Sequence, residues 1–249
     1  MRQMTTPPQL SSRRLFIFGG AVAVLGLALL LYTFKFSKIL SSDDFARLTN
    51  VGKNYFDKGE AEKAVASFQQ ALQLNTAHPD AHLNLANAYF LAGQNENVIK
   101  EAQEVLSLDR NSAAAHYLIG CVNLRLGKNE DALKELQESQ NIDPAVTALN
   151  FQLSLAHEKL GHLEDAAREL EAVIKFEPDH PAAHYRLSQL LLRLGNKEEA
   201  NQHLEQHRQI IAKKPGVPTD PSAYERCKHT QARLPFQMEQ PDPRGVKGS

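Results

Sequence analysis

Apolar side chains recur along residues 45–214 at intervals of three and four, and polar side chains fill the positions between them. In one segment the apolar stripe consists of Ala166, Ala167, Leu170, Val173 and Ile174. This spacing predicts amphipathic helices that each bury one face. Glycines interrupt the pattern regularly, so the sequence predicts an all-α fold of short helices joined by tight turns.

Five glycines are spaced 34 residues apart: Gly59, Gly93, Gly127, Gly161 and Gly195. Seven residues before each glycine the side chain is small: Gly52, Ala86, Gly120, Ser154 and Ser188. Five residues after each glycine the side chain is alanine or valine: Ala64, Val98, Ala132, Ala166 and Ala200. A period in this range indicates a stacked array of repeats, in which small residues let paired helices approach closely.

The first repeat resembles the tetratricopeptide repeat family at Val51, Gly52, Tyr55, Gly59, Ala64, Phe68 and Ala71. The resemblance implies a right-handed α-solenoid of five helix-turn-helix units, at 45–78, 79–112, 113–146, 147–180 and 181–214. The family's proline near the end of the second helix is kept as Pro144 and Pro178 and is replaced in the other repeats by Thr76, Arg110 and Ala212. The family is a scaffold for many functions, so the resemblance specifies fold more than function.

The last repeat differs from the others in its second helix. His207 stands where earlier repeats have Ala71, Val105, Ser139 and Val173. A polar outer face that meets solvent is expected at the end of such an array.

Residues 15–34 carry no charged side chain. As a helix they would span about 30 Å, the thickness of the hydrocarbon core of a bilayer. We expect a transmembrane helix at 15–36, after a tail at 1–14 and before a linker at 37–44. A cleaved signal peptide and an organelle presequence are the alternatives, but the apolar run is longer than a signal peptide needs and only poor cleavage sites, such as the one after Ser42, lie beyond it.

Basic residues flank the apolar run unequally, with Arg2, Arg13 and Arg14 before it and Lys35 and Lys38 after it. The positive-inside rule then predicts a single-pass protein with a cytoplasmic N-terminus. The array would lie on the translocated side of the membrane, which is the periplasm if the protein is bacterial.

Charge and cysteine content narrow the function classes. The net charge of -1 gives no basic face for nucleic acid. The two cysteines, Cys121 and Cys227, cannot form a disulfide framework, although one bridge between them would suit an oxidising compartment.

The sequence offers no catalytic candidate, because phosphate-binding and nucleophile motifs are missing from it. Among the ten histidines, His203 and His207 have the i, i+4 spacing of zinc-binding helices. We interpret them as surface histidines, and His82, His116 and His184 as repeat architecture, since these three occupy equivalent positions. No metal and no cofactor are expected.

The resemblance places a peptide-binding groove along the first helices of the repeats. Matching columns assign to it Asn50, Lys53, Asn84, Asn87, Tyr117, Cys121, Phe151, Tyr185, Arg186 and Gln189. Tyr117, Phe151 and Tyr185 share one column, so we expect a partly exposed aromatic row about 20 Å long, enough for roughly six extended residues. The alternative is that these rings pack between repeats.

The sequence therefore predicts a membrane-anchored scaffold that binds a protein or peptide and is not an enzyme. Residues 215–249 are rich in proline and are interpreted as a tail or linker. Two alternatives stay open: an N-terminal regulatory portion of a longer protein with another domain after residue 249, and a structural subunit that self-associates.

Overall fold

The structure, a computed structural model, describes residues 43–144 and 147–213. The predicted transmembrane helix at 15–36, the tail at 1–14 and the proline-rich segment at 215–249 lie outside the described residues. Within the described part of the chain, no helix is long and apolar enough to cross a membrane. Contacts divide the chain into two units at Arg47 and Leu48, and the repeat array belongs to the second unit.

The described residues form helices joined by short turns, which confirms the predicted all-α, helix-turn-helix architecture. The helix at 43–57, α1, begins inside the predicted 37–44 linker. The others are α2 (Ala61–Leu74), α3 (Pro79–Leu91), α4 (Asn95–Leu108), α5 (Ala113–Arg125), α6 (Asn129–Ile142), α7 (Thr147–Leu160), α8 (Leu163–Phe176), α9 (Pro181–Arg193) and α10 (Lys197–Lys213). Proline occupies the first position of α3 and α9, where its missing N–H costs no helical hydrogen bond.

The turn within each repeat has the same backbone geometry. All five glycines of the 34-residue column have positive φ, from 73° at Gly93 to 90° at Gly195. The residue after each glycine donates its backbone N–H to a carbonyl five residues earlier, as Gln94 does to Tyr89 at 2.9 Å. Glycine reaches this left-handed conformation without the strain that a β-carbon would add, which explains the column.

The helices form two layers. From α3 onward, each first helix packs on the second helix of its own repeat and on that of the preceding repeat. In addition, α3 contacts α5 and α5 contacts α7, so these first helices form a layer of their own. The small-residue column lies where paired helices approach most closely: a β-carbon built on Gly120 would lie 2.7 Å from Leu136 Cγ.

A polar side-chain pair joins the two helices of three repeats. His82 Nδ1 lies 2.7 Å from Glu101 Oε2, His116 Nδ1 lies 2.8 Å from Glu135 Oε2, and His184 Nδ1 lies 2.9 Å from His203 Nδ1. The partners are 19 residues apart in every case. The interpretation of these first-helix histidines as repeat architecture is therefore confirmed.

His207 does not form the solvent-facing cap that its position suggests. Its Nδ1 donates to the Pro181 carbonyl at 2.9 Å, and its ring packs on Tyr185 with centroids 5.3 Å apart. The equivalent residue two repeats earlier, Ser139, makes the same bond to the Ala113 carbonyl at 2.9 Å. The polar residue in this column joins the two helices of its repeat, while the rest of α10 buries only Ala200 and Ile210 and has the expected polar face toward solvent.

Candidate functional site

The ten predicted groove residues all lie on first helices. Their exposure differs along the layer. Asn50 and Gln189, near the two ends, are exposed, and Lys53, Tyr185 and Arg186 are half-buried. The five central residues are buried: Asn84, Asn87, Tyr117, Cys121 and Phe151.

The central first helices are buried because their sequences are apolar or uncharged on nearly every side. In α3, the ten consecutive residues 81–90 are all buried. In α5, the same holds for residues 117–124. A helix that is apolar all round belongs in an interior or against another polypeptide.

The aromatic residues do not form an exposed row. Tyr117 retains 6% of its surface and Phe151 retains 5%, and only Tyr185 is partly exposed. Phe151 stacks on His180, the residue before α9, with ring centroids 5.3 Å apart and an interplanar angle of 18°. The expected exposure is wrong for Tyr117 and Phe151, because both rings are buried. The contact between Phe151 and His180 is the packing between repeats that the sequence left open as the alternative to a groove.

Tyr117 and Cys121 form a buried polar pair one turn apart on α5. Within the described residues, no hydrogen-bond partner of good geometry reaches the Tyr117 hydroxyl. Burial, and next the adjacent Cys121, raise the pKa of Tyr117 well above its usual range. Burial raises the pKa of Cys121 to about 12, against the opposing effects of Tyr117 and of the Arg125 charge. Both groups are therefore protonated at neutral pH, and among the described residues the Tyr117 hydroxyl has only the weakly accepting sulfur of Cys121 as a polar neighbour.

The asparagines of α3 are less available than their residue type suggests. The Asn87 side chain donates its amide N–H to the Leu83 carbonyl of its own helix at 2.9 Å. Asn84 is 3% exposed and lies on the same buried helix. A ligand would compete with the helix for the amide of Asn87.

Charged groups connect α7 and α9 at one end of the layer. Arg186 donates to Glu158 Oε2 at 3.1 Å, and Arg193 donates to Glu158 Oε1 at 3.0 Å. The Arg186 guanidinium also lies 5.8 Å from the centroid of the Phe151 ring. These contacts join consecutive repeats, so Arg186 has structural partners besides any ligand.

The structure separates the two histidines that have zinc-helix spacing. His203 faces His184, whereas His207 bonds the Pro181 carbonyl. Their Nδ1 atoms thus have different partners. A different cluster, His157, His162 and Asp165, brings its ligand atoms together at the α7–α8 turn. Sequence reasoning missed it because its residues lie on both sides of a turn and have no helical spacing.

Known repeat families match most of the described chain. A sequence model described as a TPR repeat matches residues 52–93. Models described as the tetratricopeptide repeat match residues 113–146 and 151–218. A comparison with curated protein sequences gave no match.

Solved structures with similar folds share little sequence with this chain. The structure titled "MamA 41-end from Desulfovibrio magneticus RS-1" aligns with a TM-score of 0.62 and 19% identity, over 70% of this chain and 98% of that one. A crystal structure of MamA aligns with a TM-score of 0.58 and 20% identity, over 66% of this chain and 95% of that one. YrrB, titled "a TPR protein with an unusual peptide-binding site", aligns with a TM-score of 0.53 and 22% identity, over 68% and 86%. At this identity the likeness shows the fold alone.

Proposed function

Because the chain carries tetratricopeptide repeats, we propose that it is a membrane-anchored scaffold that binds a polypeptide segment along its layer of first helices. Two facts support binding over catalysis. The described residues present no nucleophile paired with a base on this layer, and a structural relative, YrrB, is titled for a peptide-binding site.

One observation carries the proposal: the buried hydroxyl of Tyr117, which has no hydrogen-bond partner of good geometry within the described residues. A buried hydroxyl without a partner costs about 1–3 kcal/mol. A bound segment would remove this cost by offering a backbone carbonyl or N–H. Leu118 and Leu124 on the same helix are buried and apolar, so the preferred ligand is an extended, mostly apolar segment.

The test is the Tyr117→Phe variant, which removes only the hydroxyl. Peptides would be selected on the full chain from a random library, and their affinity measured by fluorescence anisotropy. Losing one hydrogen bond of about 1 kcal/mol should weaken binding about fivefold. The same change should leave the free energy of unfolding unchanged or raise it, because no internal hydrogen bond is lost.

Tyr89→Phe is the matched control, since the Tyr89 hydroxyl already accepts a hydrogen bond from Gln69 Nε2 at 2.8 Å. This control should lower stability by about 1 kcal/mol and leave peptide affinity unchanged. If Tyr117→Phe lowers stability in the same way and does not alter affinity, the hydroxyl is structural and the groove assignment fails.

Membrane attachment through residues 15–36 is the second part of the proposal. It rests on the uncharged run at 15–34 and its basic flanks. The protein should stay with membranes after carbonate washing, and deletion of residues 1–36 should release it. A mature chain that begins near Asp43 would show a cleaved signal peptide instead.

A reporter fused after Ala212 should be active only on the translocated side.

A further inference from the structure

The turn between α7 and α8 carries three potential metal ligands. His157 lies near the end of α7, His162 directly precedes α8, and Asp165 lies in the first turn of α8. One ligand atom from each residue lies within 4.8 Å of the other two. We propose that these three residues bind a divalent transition metal of the zinc type, with the remaining coordination position open to solvent or to a partner.

The separation of the two histidine nitrogens suits a small tetrahedral ion. His157 Nδ1 and His162 Nδ1 are 3.5 Å apart. Two nitrogens bound to one tetrahedral Zn²⁺ at about 2.0–2.1 Å would be separated by about 3.3–3.4 Å. The separation is beyond the usual 2.7–3.2 Å of an N–H hydrogen bond. The two rings are thus placed as co-ligands and are poorly satisfied as a hydrogen-bonded pair.

The backbone fixes both histidines before any ion arrives. His162 donates its backbone N–H to the His157 carbonyl at 2.9 Å, and Leu163 donates to the Gly161 carbonyl at 3.0 Å. Gly161 between them has φ 82°. A site on a pre-formed turn loses little conformational entropy on binding, which favours affinity.

The repeat itself does not require histidine at either position. The equivalent pairs in the other repeats are Tyr55 and Glu60, Tyr89 and Gln94, Asn123 and Lys128, and Leu191 and Asn196. These four turns close with the same backbone bond, at 2.8–2.9 Å, without a histidine. Folding of the turn therefore does not explain the presence of the two histidines.

The local charges identify one competitor for the site. Arg168 Nη1 lies 3.0 Å from Asp165 Oδ1 in a largely exposed ion pair. Such pairs contribute little stability, so an ion can displace the arginine.

Three variants test the site in the full chain, prepared without an added histidine tag. Equilibrium dialysis against Zn²⁺ should show one bound equivalent that His162→Ala and the isosteric Asp165→Asn each weaken by at least about tenfold. Arg168→Gln should tighten binding about two- to fivefold, because it frees the Asp165 carboxylate. Co²⁺ in place of Zn²⁺ should give the visible absorption of a tetrahedral centre, and His162→Ala should abolish it.

Lys128→Ala is the matched control, because it changes the equivalent exposed turn position of the third repeat. It should leave Zn²⁺ binding unchanged, and circular dichroism should show equal helicity for all variants. The proposal is overturned if the full chain binds no Zn²⁺ at micromolar concentration. It is equally overturned if bound Zn²⁺ survives both ligand substitutions or is lost only in a His203→Ala variant.

Discussion

The contact between Gly120 and Leu136 provides a quantitative test of helix pairing. A β-carbon at Gly120 would lie 2.7 Å from Leu136 Cγ, 2.8 Å from Leu136 Cδ2 and 3.3 Å from the Ala132 carbonyl oxygen. Carbon atoms normally pack at about 3.5–4.0 Å. Leu136 is fully buried and cannot turn aside into solvent. Any side chain at position 120 must therefore push α5 and α6 apart.

Gly120→Leu adds this first carbon and three more. Overpacking costs about 1–3 kcal/mol or more, and the better helix propensity of leucine returns at most about 1 kcal/mol. We expect a net loss of about 2 kcal/mol, seen as a fall in Tm of about 4–8 °C for an array of this size. Urea unfolding followed by circular dichroism would measure the free energy, and Lys134→Leu, on the exposed side of α6, should change it by less than about 0.5 kcal/mol.

A double-mutant cycle separates overpacking from other causes. Leu136→Ala alone should cost about 2–5 kcal/mol through its cavity. Gly120→Ala made in that background fills part of the space, so the two changes together should cost at least about 1 kcal/mol less than their sum. Strict additivity, or equal Tm values for Gly120→Leu and Lys134→Leu, would refute the assigned helix contact.

Two titratable groups, the buried Cys121 and the half-buried His203, provide further tests. Burial raises the pKa of Cys121 to about 12, so its thiol should not react with a disulfide reagent at pH 8 until the array unfolds. The reaction would be followed in a Cys227→Ser variant, which leaves Cys121 as the only thiol. Rapid labelling of the native protein would contradict this prediction. Burial lowers the pKa of His203 and His184 lowers it further, while Glu199 opposes them. The unfolded chain then binds more protons below the ordinary histidine pKa of about 6.5, so stability should fall as pH drops from about 7 to about 5. His203→Gln should reduce that slope, and an unchanged slope would assign the effect to other groups.

The sequence predicted the repeat well because the turn chemistry is local. A glycine column predicts positive φ wherever it occurs, and all five glycines have it. The small residue at position 120 likewise predicts close helix approach, which the 2.7 Å contact with Leu136 shows. Both features depend on backbone sterics that a single residue type reveals.

The candidate site was predicted less well because it depends on contacts between repeats. Phe151 was expected to face a ligand, but His180 from the turn before α9 covers it. Nothing in the local spacing shows that a residue 29 positions away will stack on this ring. The partner-free hydroxyl of Tyr117 is also invisible in the sequence, since satisfaction of a polar group is a property of the folded surroundings.

The second helices begin without help from side chains. Glu60, Gln94, Lys128 and His162 each precede a second helix, and none of their side chains caps it. The backbone turn sets where each helix starts, so these positions tolerate side chains of any charge. These four positions are therefore suitable for attaching probes, and successive positions are one repeat apart. Spin labels at positions 60 and 128 would therefore measure, without disturbing a helix, whether the array stretches or tightens when it takes up a ligand.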